Sequence, residues 1–319
     1  MPLDEFDLIR RYFTRATPGA ALGIGDDAAL IAPAAGLQLA VAADTMVEGR
    51  HFFAGADPYS LGWKSLAVNL SDMAAMGAAP RWFTLCLTLP AADAGWLADY
   101  ARGLFALADA HGAELIGGDT TSGLLAMSIQ ILGEVEPGQA LRRDGARDGD
   151  DVWLSGPTGA AALAVRQRYG ELALAAADLA HCAERLDRPV PRVALGRALR
   201  GLASAAIDVS DGLAADLGHI ARASGLAAEI ELALLPQLPL DPAVQAVPGY
   251  DLARLAGGDD YELCFTAAPA ERARIAALGA ELALPLARIG AMRAGRGVTV
   301  RDAAGQPLAL PRAGFNHFD

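Results

Sequence analysis

One local pattern recurs along the chain and restricts the folds it can adopt: an apolar, strand-like segment, then small residues, then one or two carboxylates. A single Asp-Gly or Asp-Asp after a strand is an ordinary turn or helix cap. Five copies are harder to explain in that way. If the fold brings them together, their carboxylates repel: two of them about 4 Å apart cost roughly 4 kcal/mol at an effective dielectric constant of about 20. A fold that gathers them needs cations. The five copies are GIGDDAA, AVAADTM, ELIGGDTT, AAIDVSDG and LAGGDDYEL.

Capping signals predict two long helices in the first half. Asp57 followed by Pro58 is typical of a helix start, and Gly77 follows as its stop. Asp93 caps the second helix, which is predicted to end near Gly112.

Strand-like segments lie between the helices in both halves. Leu37–Asp44 predicts a buried strand that ends on its carboxylate, and DVWLSG, LAAEIEL and YELCFTA predict strands in the second half. The strands are fewer and less regularly alternating than a doubly wound fold needs, so we expect α+β architecture in each half. Residues 138–151 are polar and Gly-rich, which predicts a junction between domains 1–137 and 138–319.

Composition excludes several classes of protein. The 319 residues are 53% hydrophobic, enough to build substantial cores, and the net charge is -12. That charge argues against a nucleic-acid binder and against an anionic membrane surface, but divalent cations can still bridge it to phosphate ligands. No signal peptide or run of about 20 apolar residues is visible, and three scattered cysteines are typical of reduced thiols, so we expect a cytoplasmic protein.

The usual phosphate-binding motifs are missing. Gly23, Gly25 and Ala28 match G-x-G-x-x-A, but no hydrophobic strand precedes them and no helix follows, so the dinucleotide interpretation fails. The chain's one lysine, Lys64, stands in GWKS, which is not a Walker A loop. There is also no H-R-D or D-F-G kinase motif and no G-x-S-x-G of a hydrolase.

The acidic pattern instead suits phosphoryl transfer with several Mg²⁺ ions. Mg²⁺ takes oxygen ligands, usually one or two carboxylates together with substrate phosphates. Asp72 adds a carboxylate from the first long helix, three residues after Asn69 and therefore on the same helix face. Adjacent glycines allow phosphate to approach the backbone closely.

Three further residues have an ordinary interpretation beside a functional one. His51 alone is more typical of a surface or capping histidine. Arg143 is solvated unless its loop folds over a nucleotide, a ligand for which arginine is well suited. Phe315 belongs to a docked tail or forms one wall of a ring-binding pocket.

These motifs together resemble the thiamine-monophosphate kinase family. The similarity runs in the family's order through nearly the whole chain, which is far more specific than any one motif. It includes GIGDDAA, AADTMVEGRHF, GWKSLAVNLSDMAAMGAAPRW, ELIGGDTT, RRDGARDGDDVWLSG, DVSDGLAADLGHIA, GGDDYELCF and the aromatic GFNHF end.

The resemblance implies an activity and a fold. The activity is ATP-dependent, in-line phosphorylation of thiamine monophosphate to thiamine diphosphate, the last step of thiamine diphosphate biosynthesis. The fold is the two-domain α+β fold of aminoimidazole ribonucleotide synthetase-like proteins. Its N-terminal domain has a mixed sheet with helices, binds ATP and Mg²⁺ and forms a homodimer, and its C-terminal domain completes the active site. An attacking phosphate is already anionic, so no general base is expected.

The resemblance also implies site residues. Several Mg²⁺ ions would be held by Asp27, Asp44, Asp72, Asp119, Asp208 and Asp211. ATP would be bound by Gly118, Asp119, Arg143 and Ser210, and thiamine monophosphate by His51, Asp259 and Phe315. Asp26 is interpreted as a structural neighbour of Asp27.

One departure and two alternatives stand beside this interpretation. Related sequences often carry Ser or Thr before the second aspartate, where this chain has Ala42-Ala43, so metal contacts there would have to come from backbone carbonyls. The alternatives are another ATP-using synthetase of the same superfamily and a non-catalytic binder of nucleotide or thiamine phosphate.

Overall fold

The computed structural model describes residues 4–311 and 314–315, so the rest of the GFNHF end lies outside the described residues. The chain divides into two compact units. The first contains Met1–Met73 and Ala78–Gly138, and the second contains Ala74–Gly77 and Gln139–Asp319. The predicted domain boundary at 137/138 stays a prediction.

In its described part, the first unit combines helices with one mixed four-stranded sheet. Strand β2 pairs antiparallel with β4 and parallel with β3, and β1 pairs antiparallel with β4, giving the order β1-β4-β2-β3. The elements are α1 (Glu5–Leu8), which continues as a π-helical turn (Ile9–Phe13), β1 (Gln38–Val47), α2 (Pro58–Ala75), β2 (Ala79–Leu89), α3 (Ala94–His111), β3 (Glu114–Ser122) and β4 (Ala126–Val135).

Capping residues begin and end the two long helices where the sequence predicts. Asp57 Oδ2 accepts the Ser60 N–H at 2.9 Å at the start of α2. Asp93 Oδ1 accepts the Trp96 N–H at 2.8 Å, and α3 ends at Gly112 in the left-handed conformation. The buried face of α3, with Leu97, Tyr100, Leu104 and Leu107 at helical spacing, contributes to the core of this unit.

The second unit packs helices against a sheet with the order β11-β10-β7-β9-β5-β8-β6. Its core gathers Val152, Leu154, Ile207, Leu217 and Ile289, all nearly inaccessible to solvent. The elements are β5 (Asp151–Leu154), α4 (Ala160–Arg168), α5 (Ala176–Asp187), α6 (Val193–Ala198), β6 (Ala205–Asp208), α7 (Leu213–Ser224), β7 (Ala227–Glu231), α8 (Tyr250–Ala256), β8 (Leu263–Ala267), α9 (Arg272–Glu281), β9 (Ala287–Arg293), β10 (Gly297–Arg301) and β11 (Pro307–Leu308), with short 3₁₀ turns at Leu232–Leu234, Pro242–Ala246 and Pro269–Glu271.

The expectation of two α+β halves is confirmed, and the main error concerns strand ends. Strand β1 continues past Asp44 to Val47 and is half exposed, because it is an edge strand rather than a buried one. Asp119 also lies inside β3. Of the candidate aspartates that the structure describes, Asp208 alone stands at the last residue of a strand, β6. Helices α5, α6, α8 and α9 and strand β9 were not predicted.

No helix among the described residues is long and apolar enough to cross a membrane. Cys182 and Cys264 are buried free thiols, and Cys86 is an exposed one.

Candidate active site

The acidic turn of the second unit, residues 208–212, connects β6 to α7 and is held by one buried carboxylate. Asp216, in the first turn of α7, is 3% exposed. Its Oδ2 atom accepts the consecutive backbone N–H groups of Ser210, Asp211 and Gly212 at 3.0, 3.1 and 3.1 Å. The backbone of the turn is therefore fixed before any ligand binds.

Negative charge is concentrated beside this turn. Burial, followed by the neighbouring Asp208 carboxylate, raises the pKa of Asp216 to about 7; Asp211 adds to the rise, and the Gly212 N–H opposes it. Asp208 is itself 5% exposed, whereas Asp211 is more accessible. A cation near Asp208 and Asp211 would relieve this repulsion.

The backbone carbonyl groups of the acidic turn accept hydrogen bonds from two residues that are predicted to bind the substrate. Ser210 O accepts the N–H of Asp259 at 2.8 Å, and Asp211 O accepts the N–H of Phe315 at 2.9 Å. The adjoining Val209 O accepts the N–H of Tyr261 at 2.8 Å. The structure therefore brings four of the predicted residues together: Ser210, Asp211, Asp259 and Phe315.

The segment 257–262 that carries Asp259 has an unusual backbone. Asp259 and Tyr261 have φ values of 68° and 51°, in a region that side chains other than glycine rarely adopt. The Tyr261 hydroxyl donates to Asp259 Oδ1 at 3.0 Å, which orients the carboxylate. Such conformations persist where the surroundings determine them, and they are frequent at functional sites.

Two buried acids anchor this segment. Asp260 accepts the Gly159 N–H at 2.9 and 2.8 Å, and burial raises the pKa of Asp260 well above its usual range. Glu262 is fully buried and binds Arg185 and Arg192, with Arg192 Nε 2.7 Å from Oε2. Burial alone would raise the pKa of Glu262, but the hydrogen bonds and charges of the two arginines outweigh it and hold that pKa below its ordinary value.

Arg143, the predicted ATP contact, is exposed in the segment before β5. Its carbonyl accepts the Ser224 hydroxyl at 3.1 Å. Burial and the charges of Arg222 and Arg143 lower the pKa of His219, while Asp211 opposes the shift. Arg143 and Asp211 therefore both lie within electrostatic range of the same imidazole on α7.

In the first unit, Asp44 and Asp72 are on neighbouring elements. The backbone N–H of Asp44, on β1, donates to Asn69 Oδ1 at 3.2 Å, and Asn69 is completely buried on α2. Asp72 follows three residues later, so it projects from the same face of α2. The backbone of Asp44 thus contacts the side of α2 from which Asp72 projects.

His51 follows β1 and is partly buried. Its Nδ1 accepts the Val47 N–H at 3.0 Å. A neutral imidazole that accepts at Nδ1 carries its proton on Nε2, which is a hydrogen-bond donor suited to a phosphate oxygen.

Gly118 and Asp119 lie on β3, at the opposite edge of the sheet from β1. Gly118 has a φ of 145°, and a Cβ atom there would stand 1.8 Å from Leu85 O, so only glycine fits. The side chain of Asp119 is exposed. Asp119 is three strands away from Asp44, so one copy of the sheet does not bring these two together.

Asp27 lies in an exposed turn of the first unit. Its N–H donates to Asp26 Oδ1 at 2.9 Å, in agreement with a structural role for Asp26. Gly25 has a φ of 130° in this turn.

The arrangement of the carboxylates decides whether they could hold Mg²⁺ without other ligands. Among the described residues, no group of three or more His, Cys, Asp or Glu side chains is placed to hold a metal ion. Mg²⁺ needs fewer protein ligands when phosphates and water supply the rest. The oxygen donors fit that mode, and the crowding of Asp208 and Asp211 against Asp216 favours a cation.

Sequence reasoning missed three residues that shape the site: Asp216, Tyr261 and Glu262. Asp216 stands within the DVSDGLAADLG motif, and a carboxylate in the first turn of a helix was the available signal. Tyr261 and Glu262 lie in GGDDYEL, but their roles depend on partners distant in the sequence.

Comparison with known proteins gives full-length matches. Residues 25–135 match the model of the AIR synthase related protein, N-terminal domain, and residues 136–303 match that of the C-terminal domain. The chain is 45% identical over 326 residues to thiamine-monophosphate kinase of Escherichia coli strain K12, covering 100% of this chain and 99% of that one.

Two solved structures share the fold. The crystal structure of thiamine-monophosphate kinase from Stenotrophomonas maltophilia K279a superposes with a TM-score of 0.86 at 48% identity, covering 97% of this chain and 99% of that one. AaThiL complexed with AMPPCP and TMP has a TM-score of 0.79 at 28% identity, covering 90% of this chain and 89% of that one.

Proposed function

Because the chain belongs to the thiamine-monophosphate kinase family, we propose that it transfers the γ-phosphoryl group of ATP to thiamine monophosphate, forming thiamine diphosphate and ADP. The structural observation that supports this most is the acidic turn 208–212, which hydrogen-bonds to both Asp259 and Phe315. Residues expected to contact nucleotide and residues expected to contact substrate thus share one rigid support.

The chemistry needs positioning and charge neutralisation rather than a general base. A phosphate oxygen of thiamine monophosphate is already anionic, and it attacks the γ-phosphorus in line. The chain's contribution is to hold the two phosphates at the required distance and angle. His51 would donate from Nε2 to the substrate phosphate, and Asp259 and Phe315 would hold the thiamine side, with Asp259 oriented by Tyr261.

Mg²⁺ is proposed as the cation that these carboxylates hold. Its ligands would be Asp27, Asp44, Asp72 and Asp119 in the first unit and Asp208 and Asp211 in the second. Bound Mg²⁺ would neutralise the charge of the ATP phosphates. The nucleotide itself would be held by Gly118, Asp119, Arg143 and Ser210. We propose the cytoplasm, where ATP is available, as the location of the reaction. The proposed functional division remains residues 1–137 for ATP, Mg²⁺ and dimerisation and residues 138–319 for completing the site.

We propose that the protein is a homodimer joined through the edge strands of the first unit's sheet. Strands β1 and β3 are its two edges in the described residues, and Leu39 and Val41 on β1 are 38% and 55% exposed. Long apolar edge strands are normally covered or paired. Asp44 and Asp119 are separated by three inter-strand spacings, roughly 14 Å. Pairing of β1 with β3 of a second copy would bring Asp44 of one subunit towards Asp119 of the other.

This arrangement predicts complementation between inactive variants. Asp44→Asn and Asp119→Asn should each lose activity alone. After dissociation and mixing, half the dimers would carry one variant subunit of each kind and one intact site, so about a quarter of wild-type turnover should return.

The matched control is a mixture of Asp44→Asn with Asp72→Asn, both placed on the same side of one subunit. Every site in such a dimer keeps one substitution, so turnover should stay at the level of the single variants. Equal recovery in both mixtures would contradict a shared site.

The activity itself is tested by incubating the protein with ATP, Mg²⁺ and thiamine monophosphate and separating the thiamine phosphates. Equimolar thiamine diphosphate and ADP are expected, which would exclude the non-catalytic binder. Absence of product at high enzyme concentration would contradict the kinase. Product formation that requires a further co-substrate would favour the alternative synthetase.

A further inference from the structure

The start of helix α7 resembles an anion-binding site. Consecutive backbone N–H groups at a helix N-terminus commonly bind phosphate, because they carry partial positive charge and have no partner inside the helix. In this chain the N–H groups of Ser210, Asp211 and Gly212 converge in that way.

The position of the anion is already taken by the chain itself. All three N–H groups donate to Asp216 Oδ2, and Asp216 is 3% exposed. A nucleotide phosphate would have to displace a buried carboxylate to reach them. Phosphate recognition at this turn would therefore depend on the Ser210 hydroxyl and on a cation held by the Asp211 carboxylate, rather than on the backbone.

The other side of the same turn is also occupied. Ser210 O accepts the Asp259 N–H, and Asp211 O accepts the Phe315 N–H. Asp216 thus fixes the N–H side of a turn whose carbonyls hold both substrate residues. A rotation of either peptide plane would move the groups on both sides together.

We propose that Asp216 is a positioning residue for phosphoryl transfer: by holding three consecutive N–H groups, it sets the direction of Ser210 and Asp211 towards nucleotide and of Asp259 and Phe315 towards thiamine monophosphate. The inference rests on the proposed function. It assigns Asp216 no contact with either substrate, and it requires that loss of the carboxylate weakens both substrate subsites.

Two substitutions separate the oxygen acceptor from its charge. Asp216→Ala removes the acceptor, and a displacement of the turn by about 1 Å would lower kcat/KM roughly 100-fold. Asp216→Asn keeps a neutral oxygen in place, and since charge-assisted hydrogen bonds are about twice as strong as neutral ones, we expect a loss of roughly tenfold. If the alanine variant does not fold, the asparagine variant carries the test.

The readouts include two that do not depend on turnover. Backbone hydrogen exchange of residues 210–212 should accelerate in Asp216→Ala, because these N–H groups lose their acceptor. Calorimetric affinity for AMPPCP with Mg²⁺ should fall. In steady-state assays, KM should rise for both ATP and thiamine monophosphate, with partial rescue in Asp216→Asn.

Asp178 supplies the matched control. It is also a buried aspartate in the first turn of a helix of the second unit, α5, and it accepts one backbone N–H, that of Asp241, at 3.0 Å. Asp178→Ala and Asp178→Asn should lower thermal stability without changing exchange at 210–212 or either KM.

A structural role alone would make the Asp216 variants behave like the Asp178 variants, and that result would overturn the proposal. Asp211→Asn separates this failure from failure of the proposed function. If Asp211→Asn weakens AMPPCP binding while Asp216→Ala does not, only the positioning role is wrong. If neither does, the turn does not bind nucleotide, and the assignment of Ser210 and Asp211 fails with it.

Discussion

The two units carry their acidic residues in different ways. In the second unit, every backbone N–H and C=O group from Val209 to Gly212 forms a hydrogen bond, and the partners are Asp216, Asp259, Tyr261, Glu262 and Phe315. In the first unit, Asp27 lies in an exposed turn and Asp119 on an edge strand. The difference indicates that the acidic turn of the second unit is organised before ligands bind, whereas Asp27 and Asp119 of the first unit are not held in this way.

The comparison predicts that Asp72→Asn affects function far more than stability. Its side chain is partly exposed on α2, so the free energy of unfolding should change little. Turnover should fall by about 10² to 10³-fold, the loss seen when one group that stabilises developing charge is removed. The measurement is kcat as a function of Mg²⁺ concentration, together with urea unfolding.

Asp99→Asn is the control, since Asp99 is an exposed aspartate on the other long helix, α3, paired with Arg102. It should change neither quantity. Unchanged turnover in Asp72→Asn would remove Asp72 from the metal site.

In the second unit, Arg192→Met should instead affect stability far more than function. Arg192 binds the fully buried Glu262, and its loss leaves that carboxylate with Arg185 as its remaining cation partner. Breaking a buried ion pair from one side costs about 3 to 5 kcal/mol, and the lower value is expected because Arg185 remains. Urea unfolding at neutral pH measures the loss.

The loss of unfolding free energy in Arg192→Met should depend on pH, because it involves the ionised form of Glu262. Glu262 has a pKa below its ordinary value of 4.5 in the folded protein, so its ion pairs contribute stability above that pH and lose it as the pH falls through the folded-state value. The difference between Arg192→Met and wild type should therefore shrink at acidic pH. A difference independent of pH would mean that packing, not the ion pair, stabilises this region.

The smallest expected effect is that of Tyr261→Phe. The substitution removes the hydrogen bond to Asp259 Oδ1 and keeps the ring. A bond of this kind contributes about 1 kcal/mol, so KM for thiamine monophosphate should rise about fivefold while KM for ATP stays nearly constant. Tyr169→Phe, at a residue 66% exposed, is the control. An equal rise in both KM values would show that Tyr261 supports the whole turn rather than Asp259 alone.

Local signals predicted much of the fold. Helices α2 and α3 begin and end where Asp57, Gly77, Asp93 and Gly112 indicate, because capping depends on residues close in the sequence. The ends of β1 and β3 were misjudged, because pairing with β4 and β2 extends these strands beyond their apolar segments. Strand length is decided by a partner, which the strand's own residues do not reveal.

The candidate site was predictable only as a set of residue types. DVSDG and GGDDYEL identify acidic segments, but the bond from Asp259 N–H to Ser210 O depends on the antiparallel register of β6 and β8. Likewise, the anchoring of Glu262 requires Arg192, 70 residues away in the sequence. The assignments of Asp27, Asp44, Asp119 and the other proposed ligands stay predictions.

The acidic turn 208–212 is organised without ligands, whereas the exposed turn of the first unit at Asp26-Asp27 is not. Residue-resolved hydrogen exchange on the ligand-free wild-type protein tests it most directly. We expect slow exchange at Ser210, Asp211, Gly212 and Asp259, because their N–H groups are hydrogen-bonded within the second unit. We expect fast exchange at Asp27, whose N–H is bonded to the exposed Asp26. Fast exchange at both turns, with protection only after Mg²⁺ and nucleotide are added, would contradict it.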